Sequence, residues 1–136
     1  MSAEKTRAAQ CVCGQLSVAV KGEPSGVYAC SCTSCQRASG SAFSYAAIYP
    51  KSAMTISGEH KAYRETANSG RWTEGHFCPT CGANVFSYIE VQPDVAAIAA
   101  GCFADATFAP PSALFWASRK HEWLKVPDST KLLDTQ

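Results

Sequence analysis

Eight cysteines stand in this chain, and their spacing sorts them into groups. The densest lies in "ACSCTSCQRASGSAF", residues 29–43, where Cys30, Cys32 and Cys35 follow the pattern C-x-C-x-x-C. Three thiolates from one loop can fill three corners of a tetrahedron and leave the fourth open, the pattern of a catalytic rather than a structural zinc. Two further pairs lie far apart, "CVCG" (Cys11 and Cys13) and "CPTCG" (Cys78 and Cys81). C-x-x-C-G is a knuckle whose turn aims two sulfurs at one ion, and its glycine permits the tight bend. With the C-x-C-G pair it completes four sulfur ligands. Joining segments more than sixty residues apart in this way would staple a small β domain. The alternative is two unrelated buried thiol pairs. Cys102, in "AAGCFAD" at the end of an apolar stretch, is left over as either a small buried thiol or the fourth ligand of the three-cysteine group. Four-thiolate sites accept iron as well as zinc, so spacing alone does not choose the metal.

Ligand type narrows the chemistry. Three thiolates on Zn²⁺ leave a formal charge of about −1, where three neutral histidines would leave about +2. An electron-rich zinc is a poor Lewis acid for making hydroxide, yet it can hold a further thiol deprotonated. The residues therefore point to a thiol-handling site rather than a hydrolase. All three donors come from one glycine-flanked loop that can relax as an ion leaves, so of the two sites expected per chain the second is the labile one.

The elements that must position these thiols read as strands. "QLSVAVKGEP" alternates Leu16, Val18 and Val20 with small or polar neighbours and ends in a turn. "GVYAC" delivers Cys30, and "AFSYAAIYP" runs to Pro50. "AMTISGE" and "KAYRET" flank Gly58, "GRWTEGHFC" leads into Cys78, and "NVFSYIEV", "VAAIAAG" and "ALFWAS" follow. Only residues 52–55 and 119–125 are expected to hold short helical turns. Many short strands with frequent turns predict a mainly β sandwich or open barrel. At 136 residues the chain fits one domain, 1–136, with residues 1–9 and 128–136 expected as loose tails.

Composition bounds the partners. A formal net charge of +1 and no basic stripe argue against nucleic acid or an anionic membrane. The longest weakly polar run, Val95 to Ala104, is too short for a bilayer span of about 20 residues. The first ten residues carry no apolar signal core, so the expected location is cytoplasmic, where cysteines serve metal or thiol chemistry rather than disulfides.

Taken together, "CVCG", "CSCTSCQRASGSAF", "SGRWTEGHFCPTCGANVFS" and "SRKHEWL" resemble the glutathione-dependent formaldehyde-activating family, from Cys11 to about Pro127. The resemblance implies a zinc-stapled β-tent of stacked antiparallel sheets. It implies Cys11, Cys13, Cys78 and Cys81 as structural zinc ligands and Cys30, Cys32 and Cys35 as a second, catalytic-type site. It also implies the joining of formaldehyde to glutathione as S-hydroxymethylglutathione. Ser31 and Leu114 stand where many relatives have His.

On that reading the thiolate attacks the aldehyde carbon and a nearby donor protonates the new oxygen. Ser31, Ser34, Tyr45 and His76 are the candidate donors, with His76 favoured by its place before the knuckle. Arg37 is expected to pair with a substrate carboxylate, the backbone around Ser39 and Gly40 to offer amides, and Arg71 and Trp72 to wall the cleft. A thiol or aldehyde carrier without catalysis and a zinc-ribbon interaction module are the competing functions.

Overall fold

The computed structural model of the chain describes residues 5–67 and 70–135. Its strands are β1 (Thr6–Gln10), β2 (Ser17–Lys21), β3 (Gly26–Cys30), β4 (Ser44–Pro50), β5 (Met54–Ser57), β6 (Lys61–Thr66), β7 (Trp72–Phe77), β8 (Asn84–Ile89), β9 (Val95–Ala99), β10 (Ala113–Phe115) and β11 (Lys131–Leu132). One α-helix, α1 (Thr33–Ser39), follows β3. A small sheet has the order β1-β2-β5, and a large one the order β11-β10-β3-β4-β9-β8-β7-β6. Pairing is antiparallel through both sheets except at one edge, where β10 runs parallel to β3 and β11 parallel to β10.

Alternation explains how the sheets stack. Val18 and Val20 of β2 point inward with Ala9 of β1, and all three are fully buried. They meet Ala47 and Tyr49 of β4, Val85 and Phe86 of β8, and Ala96 and Ile98 of β9 in one apolar cluster. Cys11 and Cys78 belong to that cluster, so the first cysteine of each pair sits in the seam between the sheets, while Cys13 and Cys81 are exposed. The Tyr49 hydroxyl, buried with its ring, donates to the Gly22 carbonyl at 3.1 Å, which removes the cost of carrying it into the core.

The nine strands read from alternation are present. Three expectations require correction. Residues 6–9 are no loose lead-in: Thr6–Gln10 pairs in full with β2, from Thr6 opposite Lys21 to Gln10 opposite Ser17. Its sequence shows no apolar alternation because the strand contributes only Ala9 to the core. Beyond Pro127, Thr130 is buried and donates to the Pro111 carbonyl, and β11 extends the large sheet, so this part of the 128–136 tail is tied down. The third correction is α1, in a segment expected to be a loop. The helical turns expected at 52–55 and 119–125 fall slightly earlier, as 3₁₀ turns at Lys51–Ala53 and Ala117–Arg119, and a further one spans Ala100–Phe103.

The turn after β5 presses on Gln15, which follows the first cysteine pair. Gly58 has φ +98°, and a Cβ there would lie 1.8 Å from the Gln15 carbonyl oxygen. The Gln15 side chain clasps the same turn, donating to the Glu59 carbonyl at 2.7 Å and accepting from the Glu59 amide at 3.0 Å. Gly58→Ala is expected to destabilise the protein by about 2–3 kcal/mol, through left-handed strain and the collision together. A denaturant titration checks this, and an unchanged midpoint would show that the turn does not pack closely on Gln15.

Candidate metal centres and the adjoining cleft

The four-cysteine site forms where the loop after β1 meets the knuckle after β7. The sulfurs of Cys11, Cys13, Cys78 and Cys81 lie within 4.8 Å of one another. Cys13 Sγ is 3.6 Å from Cys11 Sγ and 3.7 Å from Cys78 Sγ. A tetrahedral ion with bonds of about 2.3 Å has sulfur–sulfur edges of about 3.8 Å, so this donor set fits zinc. Amides surround the sulfurs: Leu16 donates to Cys11 Sγ at 3.3 Å, and Thr80 and Cys81 donate to Cys78 Sγ at 3.3 and 3.5 Å. Gln15 Nε2 adds a fourth donor, to Cys78 Sγ at 3.0 Å.

The electrostatics of the thiols agree with that fit. Burial pushes the Cys78 thiol up, but donors from Gln15, Cys81 and Thr80 outweigh it and hold the group at about 6. The Gln15 amide pulls Cys13 down, yet burial and the neighbouring sulfurs push it up to about 11. Like charges in one small space cannot all ionise unless a cation joins them.

The three-cysteine site is built on β3 and α1. Cys30 ends β3, opposite Ser44 of β4. Cys32 is the N-cap of α1 and accepts from the Cys35 amide at 3.3 Å, a task more often given to Ser or Asp. The three sulfurs again lie within 4.8 Å of one another. The hydrogen bond with Cys30 raises the Cys35 thiol far above its ordinary range, with burial adding to it, and the same bond holds Cys30 down. Three converging thiols in a half-buried pocket are a donor set suited to a soft divalent ion.

Past Cys35, the helix forms one wall of an open cleft of about 410 Å³, lined by Gln36, Arg37, Gly40, Phe43, His121 and Trp123 among others. Arg37 is exposed on this wall and has no acidic partner among the described residues. Gly40 lines the cleft while Ser39 lies outside its lining, and both are engaged within α1. The Ser39 hydroxyl bonds back to the Cys35 carbonyl at 2.8 Å, and the Gly40 amide caps α1 on the Gln36 carbonyl with the glycine at φ 62°.

Other expected residues lie elsewhere. His76 is on β7, four strands from β3 along the large sheet, a separation of roughly 15–20 Å at ordinary strand spacing. Both its ring nitrogens are occupied, Nδ1 with His60 Nδ1 at 2.9 Å and Nε2 with Glu74 at 2.7 Å, and its ring stacks on Phe86. Trp72 also sits on β7, beneath the Arg64 guanidinium at 3.8 Å, so neither it nor the adjacent Arg71 walls the cleft. Ser31 is buried and donates to the Ala42 carbonyl, and the Tyr45 hydroxyl donates to the Ala109 carbonyl. Cys102 lies beside the four-cysteine site. It shares a second cleft with Cys11 and donates to the Asn84 carbonyl at 3.6 Å, so it does not close the three-cysteine group. Leu114 is core, packed with Ala29 and Leu124.

Residues 6–119 match the family described as glutathione-dependent formaldehyde-activating enzyme. The chain belongs to that family. Two curated relatives, from Aspergillus flavus and Aspergillus oryzae, are each named as a candidate glutathione-dependent formaldehyde-activating enzyme. Each is 28% identical over 84 residues, which is 60% of this chain and 44% of the relative. The matched stretch thus spans less than half the length of those relatives. A crystal structure of a Rhodobacter sphaeroides protein superposes with a TM-score of 0.57 at 20% identity, covering 76% of this chain and 91% of that one, a likeness of fold. No helix among the described residues is long and apolar enough to cross a membrane.

Sequence reasoning gave Gln36, His121 and Trp123 no role. The signal was present in "SRKHEWL", which the family resemblance quoted. Nothing in the linear chain said that this segment would return to α1, 85 residues earlier, where His121 meets Gln36.

Proposed function

We propose that this protein joins glutathione, or a related small thiol, to formaldehyde or a similar small aldehyde, giving S-hydroxymethylglutathione. The reaction forms a carbon–sulfur bond, so the activity is of the carbon–sulfur lyase type run in its synthetic direction. One observation carries this reading: three thiols converge at the head of α1, and the next two residues of that helix open onto a cleft of about 410 Å³. That volume is in the range of small-molecule sites.

Two zinc ions per chain fit the donor sets, one held by Cys11, Cys13, Cys78 and Cys81 and a more labile one by Cys30, Cys32 and Cys35. When bound, the second would stabilise a neighbouring thiolate by coordination once the thiol has given up its proton. Arg37 holds a glutathione carboxylate through its guanidinium. Phe43 and Trp123 present apolar surface that excludes water from one side of the ligand. Cysteines committed to metal and thiol chemistry suit a reducing, cytoplasmic setting.

The test is magnetisation-exchange NMR on glutathione and formaldehyde at enzyme concentrations far below substrate. Faster exchange between free glutathione and its adduct is expected. One adduct captured per chain with no faster exchange would make the protein a carrier, and neither effect would end the proposal. Arg37→Ala is expected to raise KM for glutathione about tenfold, the order expected of one charged hydrogen-bonded pair. It should leave cysteamine, a thiol without carboxylates, unaffected.

A further inference from the structure

We infer that His121 is the acid–base residue of this cleft, shuttling one proton from the thiol to the aldehyde oxygen, and that Gln36 sets the tautomer it needs. The inference rests on the reading of the cleft as a thiol–aldehyde site.

Gln36 Nε2 lies 2.7 Å from the Ser31 carbonyl and 3.0 Å from the Arg119 carbonyl. Neither carbonyl can donate, so both amide hydrogens of Gln36 are consumed there. Turning the amide over would set its oxygen against two carbonyl oxygens. Gln36 Oε1 is therefore fixed as an acceptor, and it lies 3.1 Å from His121 Nε2. The hydrogen between them belongs to His121. In the neutral ring that assigns N–H to Nε2 and leaves a lone pair on Nδ1. Nδ1 has no hydrogen-bond partner among the described residues, and His121 lines the cleft with its ring edge-to-face against Trp123. A base whose far nitrogen is held by a pinned acceptor is the arrangement general acid–base catalysis uses to fix a tautomer.

The chemistry closes on this one residue. Nδ1 accepts the thiol proton, and the ring becomes imidazolium while Nε2–H stays on the Gln36 oxygen. The sulfur lone pair forms the bond to the aldehyde carbon as the C=O π pair moves onto oxygen. The proton on Nδ1 then passes to that oxygen, and the ring returns to its neutral tautomer. Thiol and aldehyde give the hydroxymethyl thioether with no other reactant and no change in the enzyme. The simpler role for His121 would be to pin the 119–124 turn onto α1, and a variant that keeps the pin without the base separates the two.

His121→Gln provides it, because its amide can still donate to Gln36 Oε1. The expected result is a kcat reduced about a hundredfold, within the usual range for losing a general acid–base residue, with KM changed less than threefold and an unaltered melt. A kcat loss under tenfold overturns the catalytic assignment. For Gln36, nitrogen-15 NMR of the imidazoles reads the tautomer directly. The chain has only three histidines, and the His121→Gln spectrum identifies the missing one. The wild type is expected to show His121 with hydrogen on Nε2, and Gln36→Met to show a mixture. A wild-type ring carrying its hydrogen on Nδ1, or an unchanged tautomer in Gln36→Met, overturns the positioning role. Failure of the underlying function looks different: the wild type itself would then not accelerate adduct exchange.

Discussion

Cys78→Ala is expected to leave a chain without a cooperative melt, or with a Tm lowered by at least about 15 °C. The four-sulfur site joins the loop after β1 to the knuckle after β7, Cys13 and Cys78 being 65 residues apart in sequence. Structural zinc is worth about 10–16 kcal/mol in apparent binding energy, comparable with the ~5–15 kcal/mol that separates most folded domains from their unfolded chains. Cys78 is fully buried in the seam between the sheets and accepts from Gln15, Thr80 and Cys81. Alanine removes one corner of the tetrahedron and orphans those donors at the same time. Circular dichroism against temperature, with elemental analysis of the same sample, decides the matter. A near-wild-type melt would show that the site does not staple the fold.

Cys32→Ala should behave in the opposite way. Its three-cysteine cluster spans only residues 30–35, so it closes almost no chain. The cost to stability is the lost N-cap of α1, about 1 kcal/mol, or a few degrees in Tm. The cost to function is expected to be large: one metal fewer per chain, and at least a hundredfold loss of thiol–aldehyde exchange. If this variant melts as badly as Cys78→Ala, the structural and catalytic-type roles have been exchanged. If it keeps both metals and full exchange, the cluster is not the site.

The candidate donor groups and most of the framework are legible in the chain. C-x-C-G, C-x-C-x-x-C and C-x-x-C-G mark candidate ligands because a turn of fixed length puts neighbouring sulfurs on the same side, a local matter of backbone geometry. The nine strands were legible for a similar reason: Val18 and Val20, or Ala96 and Ile98, face one way because side chains alternate along any strand. Elements without such a local signature were not legible. β1 carries one core residue, β11 is two residues long, and α1 starts from a cysteine cap rather than Ser, Thr, Asp or Asn.

Which residues share a site depends on strand order rather than on local pattern. His76 stands two positions from a C-x-x-C cysteine, but sheet order carries it four strands from β3 and gives its nitrogens to His60 and Glu74. Cys102 could have stood apart as a small buried thiol or closed the three-cysteine group, and packing set it beside Cys11. His121 returns across 85 residues to Gln36 because β10 pairs beside β3 and the chain after it must pass the end of that strand, where α1 begins. Ligand spacing is a short-range property of the backbone and can be read from a line of letters. The cleft is a long-range consequence of strand order, which no local pattern encodes.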